Sequence, residues 1–385
     1  MDKFIYLDNA ATTRPYPEVI QAMIKFSEEK FYNPSSLYSL AMEVRREIEA
    51  ARIKIAKTLN CSQEEILFTS GGTEANNWAI KGILQKYKSK GRHIITSTIE
   101  HHSVLNLCHY LAKKGWDVTF LPVDKYGLVN VNAVKEAIRD DTALVTIMFA
   151  NNEIGTIEPI KDIASICREM GVIFHTDAVQ AYGHLPIDVK DMNIDLLSAS
   201  GHKFGGPKGV GFLYKNKDVD IATWAYGGAQ EHSLRAGTEN VAGIVGMGIA
   251  AERIAKNIEE QGKQASLRDY FIERVLGEIE NTHLNGHPQK RLANNISISF
   301  NFIEGESLML LLDNFWIGVS TGSACASTSL EPSHVLLAIG LNHETAHGTI
   351  RFTISEETTK EDLDYTIEKL KVCVDKLRAM SPIAK

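Results

Sequence analysis

The chain has 385 residues, 44% hydrophobic and 23% charged, and no apolar run approaches the length of a membrane span, so disordered and membrane-spanning classes are excluded. Lys and Arg number 41 against 48 Asp and Glu, a formal charge of -7 with no basic stripe, which removes the electrostatic footprint of a nucleic-acid binder. The length points to two or three structural units, each with its own core.

The opening segment MDKFIYLDNAATTRP lacks the basic stretch, apolar core and small-residue cleavage site of a signal peptide and reads as the start of a folded domain, so export is not expected. Cys61, Cys108, Cys167, Cys325 and Cys373 are odd in number and scattered, with no C-x-x-C pair. They support neither a disulfide framework nor a structural metal site, and a reducing cytoplasm is the expected compartment.

From about residue 60 to 215, short runs rich in Val, Ile and Phe (HIITS, VTFLPVD, ALVTIMFA, GVIFHTD, DLLSAS, GVGFLY) alternate with segments of helical periodicity such as 101–114 and 159–170. This alternation predicts an α/β unit with a mostly parallel sheet covered by helices on both faces. The glycine-dense stretch 227–248 reads as a connection carrying a functional loop. From roughly 263 a long helix, NNISISF, a helix around 306–314, GTIRFTIS and a closing helix over 358–380 predict a smaller α+β unit. The expected division is a large domain over 15–260 and a small one formed by 1–14 with 261–385.

Polar groups collect where the apolar runs end, which in an open α/β sheet is where ligands bind. In ILFTSGGTEANNWAI (66–80), Ser70-Gly71-Gly72-Thr73 leads from a strand into a helix, whose free N–H groups suit a phosphate; a plain N-cap is the alternative. In IEHHSVL, His101 or His102 can stack on a flat cofactor and move protons, or be a satisfied core histidine; adjacent histidines are not expected to share one helix face. MFANNEIGT ends a buried run in two asparagines suited to an aromatic hydroxyl or a carboxylate.

Asp177 in FHTDAVQA either caps the next helix or, with Gln180 on the same turn, holds a heterocycle with a protonated nitrogen and a phenolate oxygen. Lys203 in SGHKFGGPKGVG is placed to form a Schiff base; the alternative is an exposed loop lysine, a description that suits Lys208 better. A phosphate cup, a ring-nitrogen acid, an aldehyde-binding lysine and a stacking imidazole together describe one ligand, pyridoxal 5'-phosphate. Cys325, within STGSACAS, sits among small loop-forming residues; alone, such a cysteine is more often a small buried hydrophobe.

The motifs YLDNAATT, NPSSL, TSGGTEANN, IEHHSVL, ANNEIGT, HTDAVQ, SGHKFGGPKGVG, RAGTEN, STGSACAS, LEPSHV and GTIRF run end to end in one order. The chain thereby resembles the cysteine desulfurases of the nitrogen-fixation and iron-sulfur assembly type, which have the aminotransferase fold type I. The resemblance implies that Lys203 binds the cofactor aldehyde, Asp177 pairs with the ring nitrogen, Gln180 contacts the phenolic oxygen and His101 stacks on the ring. It also implies that Gly72, Thr73, Ser200 and His202 hold the phosphate, with Thr238 reaching it from the other subunit of a homodimer. Asn152 and Arg351, with Asn33, would bind the carboxylate of L-cysteine.

The implied reaction converts L-cysteine to L-alanine, with Lys203 as base and Cys325, on a loop at about 320–332, as the thiolate that takes the sulfur as a persulfide. His101 would assist deprotonation of the thiol. The sulfur would pass to an acceptor in iron-sulfur cluster assembly or in tRNA or cofactor thiolation, and Cys325 could transiently ligate a nascent cluster. A selenocysteine lyase or another aminotransferase or lyase using the same cofactor is the alternative. Tyr32 and Tyr38 flank NPSSL where Gly and His are usual, and Ala229 and His232 stand where His and Arg are usual. These departures bear on substrate positioning and acceptor choice.

Overall fold

Apart from the run at 117–121, which is only half-buried, the apolar runs between residues 66 and 215 form strands buried along almost their whole length, and such strands require helices over both faces of their sheet. The computed structural model describes residues 3–321 and 332–381; Cys325 lies outside them. In chain order the first part contains β1 (Ile5–Tyr6), α1 (Pro17–Glu28), α2 (Ser39–Thr58), β2 (Ile66–Thr69), α3 (Gly72–Lys86), β3 (His93–Ser97), α4 (His102–Lys113) and β4 (Asp117–Leu121). There follow α5 (Val131–Ala137), β5 (Thr142–Thr146), α6 (Ile160–Glu169), β6 (Ile173–Asp177), β7 (Leu196–Ser200), β8 (Gly211–Lys215) and α7 (Val241–Glu252).

The seven strands β2 to β8 make one sheet in the order β2-β8-β7-β6-β5-β3-β4. β8 is antiparallel to both β2 and β7, and the other neighbours are parallel, so β8 alone runs against the rest. The carboxyl ends of β2, β3, β5, β6 and β7 therefore open on one edge of the sheet, the position where α/β sheets bind ligands. One face is covered around Trp78, Ile80 and Ile83 of α3, the other around Ile48, Ile55, Ile163 and Met247. At about 1.5–3 kcal/mol for each fully buried large side chain, these two layers are the main source of stability for the edge that carries the site.

The expectation for 227–248 needs correction in its second half. Residues from Val241 onward are not a connection but the buried helix α7, packed on α1 and α2. Its glycines permit the contact: a Cβ on Gly248 would stand 2.5 Å from the Cβ of Ala51. The glycine content that reads as loop in sequence serves helix packing here.

The remaining elements are α8 (Ile254–Glu259), α9 (Gln261–Glu278), β9 (Thr282–Leu284), β10 (Asn295–Phe300), α10 (Gly305–Asp313), β11 (Ile317–Gly318), α11 (His334–Ala338), α12 (His343–His347), β12 (Thr349–Thr353) and α13 (Lys360–Met380). β10 lies between β9 and β12, antiparallel to both. A second core forms around Phe271, Phe300 and Phe352, and Ile5 and Leu7 from the amino-terminal segment belong to it. β1 pairs in parallel with β11 and thereby ties the start of the chain to this core. A small cluster of Ile99, Met148 and Ile154 with Val335, Leu336 and Ile339 packs α11 onto the ligand-binding edge of the large sheet. No helix of the described residues is long and apolar enough to cross a membrane.

Candidate active site

β2 ends in a turn whose Gly71 has φ 152°, a backbone region essentially reserved for glycine, and the chain then enters α3 at Gly72. The first-turn N–H groups of α3 face a cavity of about 310 Å³, within the range of about 300–1,000 Å³ usual for small-molecule sites. Ten of the residues singled out from sequence line it together: Gly72, Thr73, His101, Asn152, Asp177, Gln180, Ser200, His202, Lys203 and Arg351. Asn33 and Thr238 are exposed and do not line the cavity of their own chain. A larger cavity of about 480 Å³ shares only Lys203 with the first and opens between the amino-terminal segment, α8, α9 and residues 354–358.

Asp177 closes β6 and is 5% exposed. Its partners are neutral: Asn76 Nδ2 donates to Oδ2 at 2.6 Å and the backbone N–H of Val179 to Oδ1 at 3.0 Å. The helix that Asp177 is expected to cap is absent, since no helix lies between β6 and β7; its carboxylate instead fastens a turn and faces the cavity. Gln180, on that turn, donates from Nε2 to the carbonyl of Ala10 at 3.0 Å.

Lys203 lies in a short 3-10 turn directly after β7 and is held rather than solvated, since Nζ donates to the carbonyls of Ala10 and Ala11. His202 beside it is pushed down to about 4 by burial and then by the charges of Lys203 and Lys208, so its imidazole is neutral at physiological pH. A neutral ring can donate to an anion from one nitrogen while the other meets Thr12 Oγ1, 3.2 Å from Nδ1.

His101 is the N-cap of α4 through its ring: Nδ1 accepts from the backbone N–H of Ser103 at 3.1 Å, with Ser103 Oγ at 2.8 Å. These bonds leave Nε2 as the nitrogen that carries the proton in the neutral ring. Burial holds His101 below its ordinary value, helped by Lys203 and His102 and opposed by Asp177.

The two adjacent histidines share the cavity without sharing a helix face. His101 caps the helix from outside and His102 is its first residue, so both rings line the cavity with centroids 6.2 Å apart. The helix-face rule applies only where both residues are helical.

Arg351 reaches the cavity from β12 and is 3% exposed. Its guanidinium donates to the carbonyl of Asn152 at 3.1 Å and to Asp8 Oδ1 at 2.8 Å, and its buried Nε makes no hydrogen bond among the described residues. Tyr32 and Tyr38 pack edge to face with centroids 6.0 Å apart, and neither they nor Ala229 nor His232 line the cavity.

Sequence reasoning missed Asn76, Glu153 and His334, all of which line the cavity. Asn76 was accessible to it: three residues beyond Thr73 on one helix, it had to share that residue's face. Glu153 stands beside Asn152 in the segment MFANNEIGT, so its neighbourhood was legible, whereas the placement of His334 depends on α11 docking from far along the chain.

Pyridoxal phosphate fits this set. The start of α3 offers N–H groups at Gly72, where a Cβ would meet Val179 Cγ2 at 2.5 Å, so no side chain intrudes there. Asp177, with neutral partners only, suits a protonated ring nitrogen, and Lys203 is an amine held at the cavity wall.

The family described as Aminotransferase class-V matches residues 5–366. Among curated proteins, the cysteine desulfurase IscS of Methanosarcina thermophila is 55% identical over 383 residues, covering 99% of this chain and 95% of that protein. The cysteine desulfurase IscS of Dictyoglomus turgidum is 54% identical over 383 residues, 99% of this chain and 97% of that protein. Among solved structures, one titled NifS-like protein superposes with a TM-score of 0.91 at 38% identity, covering 97% of this chain and all (100%) of that one. Another, titled SspA in complex with cysteine, has a TM-score of 0.81 at 38% identity, covering 91% of this chain and 98% of that one. The fold is thus the aminotransferase type I fold expected from the sequence, and the chain belongs to the class-V aminotransferase family, whose cofactor is pyridoxal 5'-phosphate.

Proposed function

We propose that this chain converts L-cysteine to L-alanine and carries the sulfur away as a persulfide on Cys325, acting as a cysteine desulfurase. The observation that carries the reading is the convergence of Lys203, Asp177, His101 and Arg351 on one cavity. Relatives more than half identical over nearly their whole length bear the name cysteine desulfurase, which supports it.

Pyridoxal phosphate, when bound, supplies an aldehyde that joins an amino acid's amine and a ring that accepts the electron pair left by proton removal. The protein's part is to hold, orient and move protons. Gly72, Thr73, Ser200 and the neutral His202 provide donors for a phosphate, while Asp177 keeps a ring nitrogen protonated and Gln180 meets the phenolic oxygen. Arg351 and Asn152 orient the substrate carboxylate, with Asn33 assisting. Lys203 takes the α-proton with its amine.

The Cys325 thiolate then attacks the substrate sulfur: an S–S bond forms as the Cβ–S bond breaks, and the bonding pair stays with the carbon fragment. Protonation of that carbon yields the methyl group of alanine, so no external oxidant is required. His101, with Nδ1 engaged by Ser103, exchanges its proton at Nε2 and assists ionisation of the thiol.

A homodimer is part of this reading. Thr238 stands outside its own chain's cavity and is assigned to the phosphate of a second copy, and exposed Phe31, Leu37 and Tyr226 offer apolar surface for that copy. The persulfide is passed to a sulfur-accepting protein, such as an iron-sulfur scaffold or a thiolation enzyme. The free thiols of Cys61, Cys108, Cys167 and Cys373 support a cytoplasmic setting. The division into a large unit over 15–260 and a small unit over 1–14 and 261–385 is supported by the separate core around Phe271 and Phe352, which recruits Ile5 and Leu7.

The test is to purify the protein with its cofactor, record the visible band, add L-cysteine and assay alanine and sulfide. A band that shifts with alanine formed is expected; a band that shifts without alanine assigns another reaction to the same site and overturns the reading.

A further inference from the structure

Both flanks of residues 321–332 connect to one turn, the first through Arg351 and the second directly. On the amino-terminal side, Ser320 and Arg351 exchange backbone hydrogen bonds of 3.2 and 2.7 Å, and the Arg351 guanidinium donates to the carbonyl of Asn152 at 3.1 Å. On the carboxyl-terminal side, Ser333 Oγ donates to Glu153 Oε2 and accepts from the backbone N–H groups of Val335 and Leu336. Asn152 and Glu153 are consecutive, in a turn closed by Gly155 N–H to the Asn151 carbonyl at 3.0 Å and by Glu153 N–H to Asn151 Oδ1 at 2.8 Å. In sequence, Cys325 follows the first anchor by five residues and precedes the second by eight.

Glu153 is an unexpected choice for a mere clamp. It is 5% exposed, as is Ser333, and a buried carboxyl costs several kcal/mol unless its partners compensate. A neutral side chain would cap α11 as well, since Ser333 already does so by itself. What the Glu153 side chain adds is direction: its oxygen accepts the hydroxyl's hydrogen bond, as an amide oxygen could, and so fixes Ser333 and the point from which the preceding chain departs. A second contact, His334 to the carbonyl of Glu100 at 3.0 Å, holds the same point against the residue preceding His101.

We propose that the turn at 151–155 is a common fastening for both ends of the segment carrying Cys325, and that Glu153, acting through Ser333, is a positioning residue for sulfur transfer. The same turn presents Asn152 to the substrate, so it references the nucleophile and the substrate to one rigid element. A nucleophile delivered by a long segment gains most from such a shared reference, because a displacement of about 1 Å can cost 100-fold in rate. This inference rests on the reading of Cys325 as sulfur acceptor.

The experiment compares Ser333→Ala, Ser333→Thr, Glu153→Ala and Glu153→Gln with the parent and with Cys325→Ser, all as holoenzymes. Three readouts are taken: the cysteine-induced change in the cofactor band, single-turnover persulfide on Cys325 by alkylation and mass, and steady-state kcat and KM. Ser333→Ala should slow persulfide formation about 10-fold or more, with KM and the cysteine-induced band change held within about twofold, and Ser333→Thr and Glu153→Gln should restore the rate. Should Glu153→Ala fail to fold, Ser333→Ala decides alone. Persulfide formation at the parental rate in Ser333→Ala overturns the inference, as does a rise in KM matching the loss in kcat. Continued sulfide release by Cys325→Ser would instead overturn the underlying reading, so the two failures are distinct.

Discussion

Asn76 and Asp177 join the two halves of the candidate cofactor site: the amide on α3, the helix whose first turn faces the phosphate position, donates to the acid that closes β6 at 2.6 Å. Asn76 also donates to Ser103 Oγ at 2.9 Å, and Ser103 supports the ring of His101. One helix therefore ties together the residues proposed as anion site, ring-nitrogen acid and stacking imidazole. Asp177→Asn replaces the acceptor by an amide that faces another amide and cannot keep a ring nitrogen protonated. Turnover should fall roughly 100-fold or more with cofactor still bound, checked by steady-state kinetics alongside cofactor content.

At the phosphate end, Gly72→Ala introduces a Cβ 2.5 Å from Val179 Cγ2, on the turn that Asp177 fastens. The expected cost of this overpacking is about 1–3 kcal/mol, expressed mainly as weaker cofactor binding because the first turn of α3 must move. Titration of the apoprotein with pyridoxal phosphate measures it, and an unchanged affinity would contradict the placement of the phosphate.

Arg351→Lys retains the charge but loses the planar fork that serves Asn152 and Asp8 at once. KM for L-cysteine should rise about 10-fold, a loss of about 1.4 kcal/mol, with the visible band of the bound cofactor preserved.

The carboxyl of Glu100 is pushed by burial up to about 8 from its ordinary 4.5. Between those values the folded chain retains a proton that the unfolded chain releases, so this group's stabilising contribution is complete below 4.5 and declines as pH rises toward 8, by at most about 1.4 kcal/mol per pH unit. Glu100→Gln cannot ionise. Denaturant unfolding of both proteins from pH 5 to about 8 should show the variant gaining on the parent as pH rises, and parallel curves would refute the buried-acid assignment.

Gly248→Ala tests the packing of α7 independently of the chemistry. Its Cβ would meet Ala51 Cβ at 2.5 Å and Cα at 2.7 Å, contacts that only a shift of α2 or α7 relieves. A loss of about 1–3 kcal/mol in unfolding free energy is expected, with kcat at moderate temperature unchanged.

Much of this architecture is legible in sequence because its signals are local. HIITS, FHTD and LLSAS announce buried strands, and the polar groups gathered at or shortly after their ends mark the ligand edge before any tertiary contact is known. What escapes is long-range or ambiguous in composition. Glu153 meets Ser333 across 180 positions, and no periodicity reports that pair. The glycines of α7 carry the same composition as a loop, and only the proximity of Ala51 turns them into a packing device. Arg351 lies on a strand of the second core, so its arrival at the cavity follows from the docking of that core and not from its own neighbours.

The carbonyls that receive Lys203 belong to Ala10 and Ala11, far upstream of it in the chain. They are held in place by a residue much later in the chain: Asn9 donates to the Thr353 carbonyl across 344 positions, and Ala10 N–H donates to Thr353 Oγ1. On a ribosome the two events are separated by on the order of tens of seconds at ordinary elongation rates. The strands of the large sheet are all made well before Thr353, whereas the seat of Lys203 is held by that later residue and cannot be completed until it is made. A chain without Thr353 lacks both of these bonds to the Asn9–Ala10 segment, so the arrival of one late residue sets when the proposed cofactor-binding amine gains its seat.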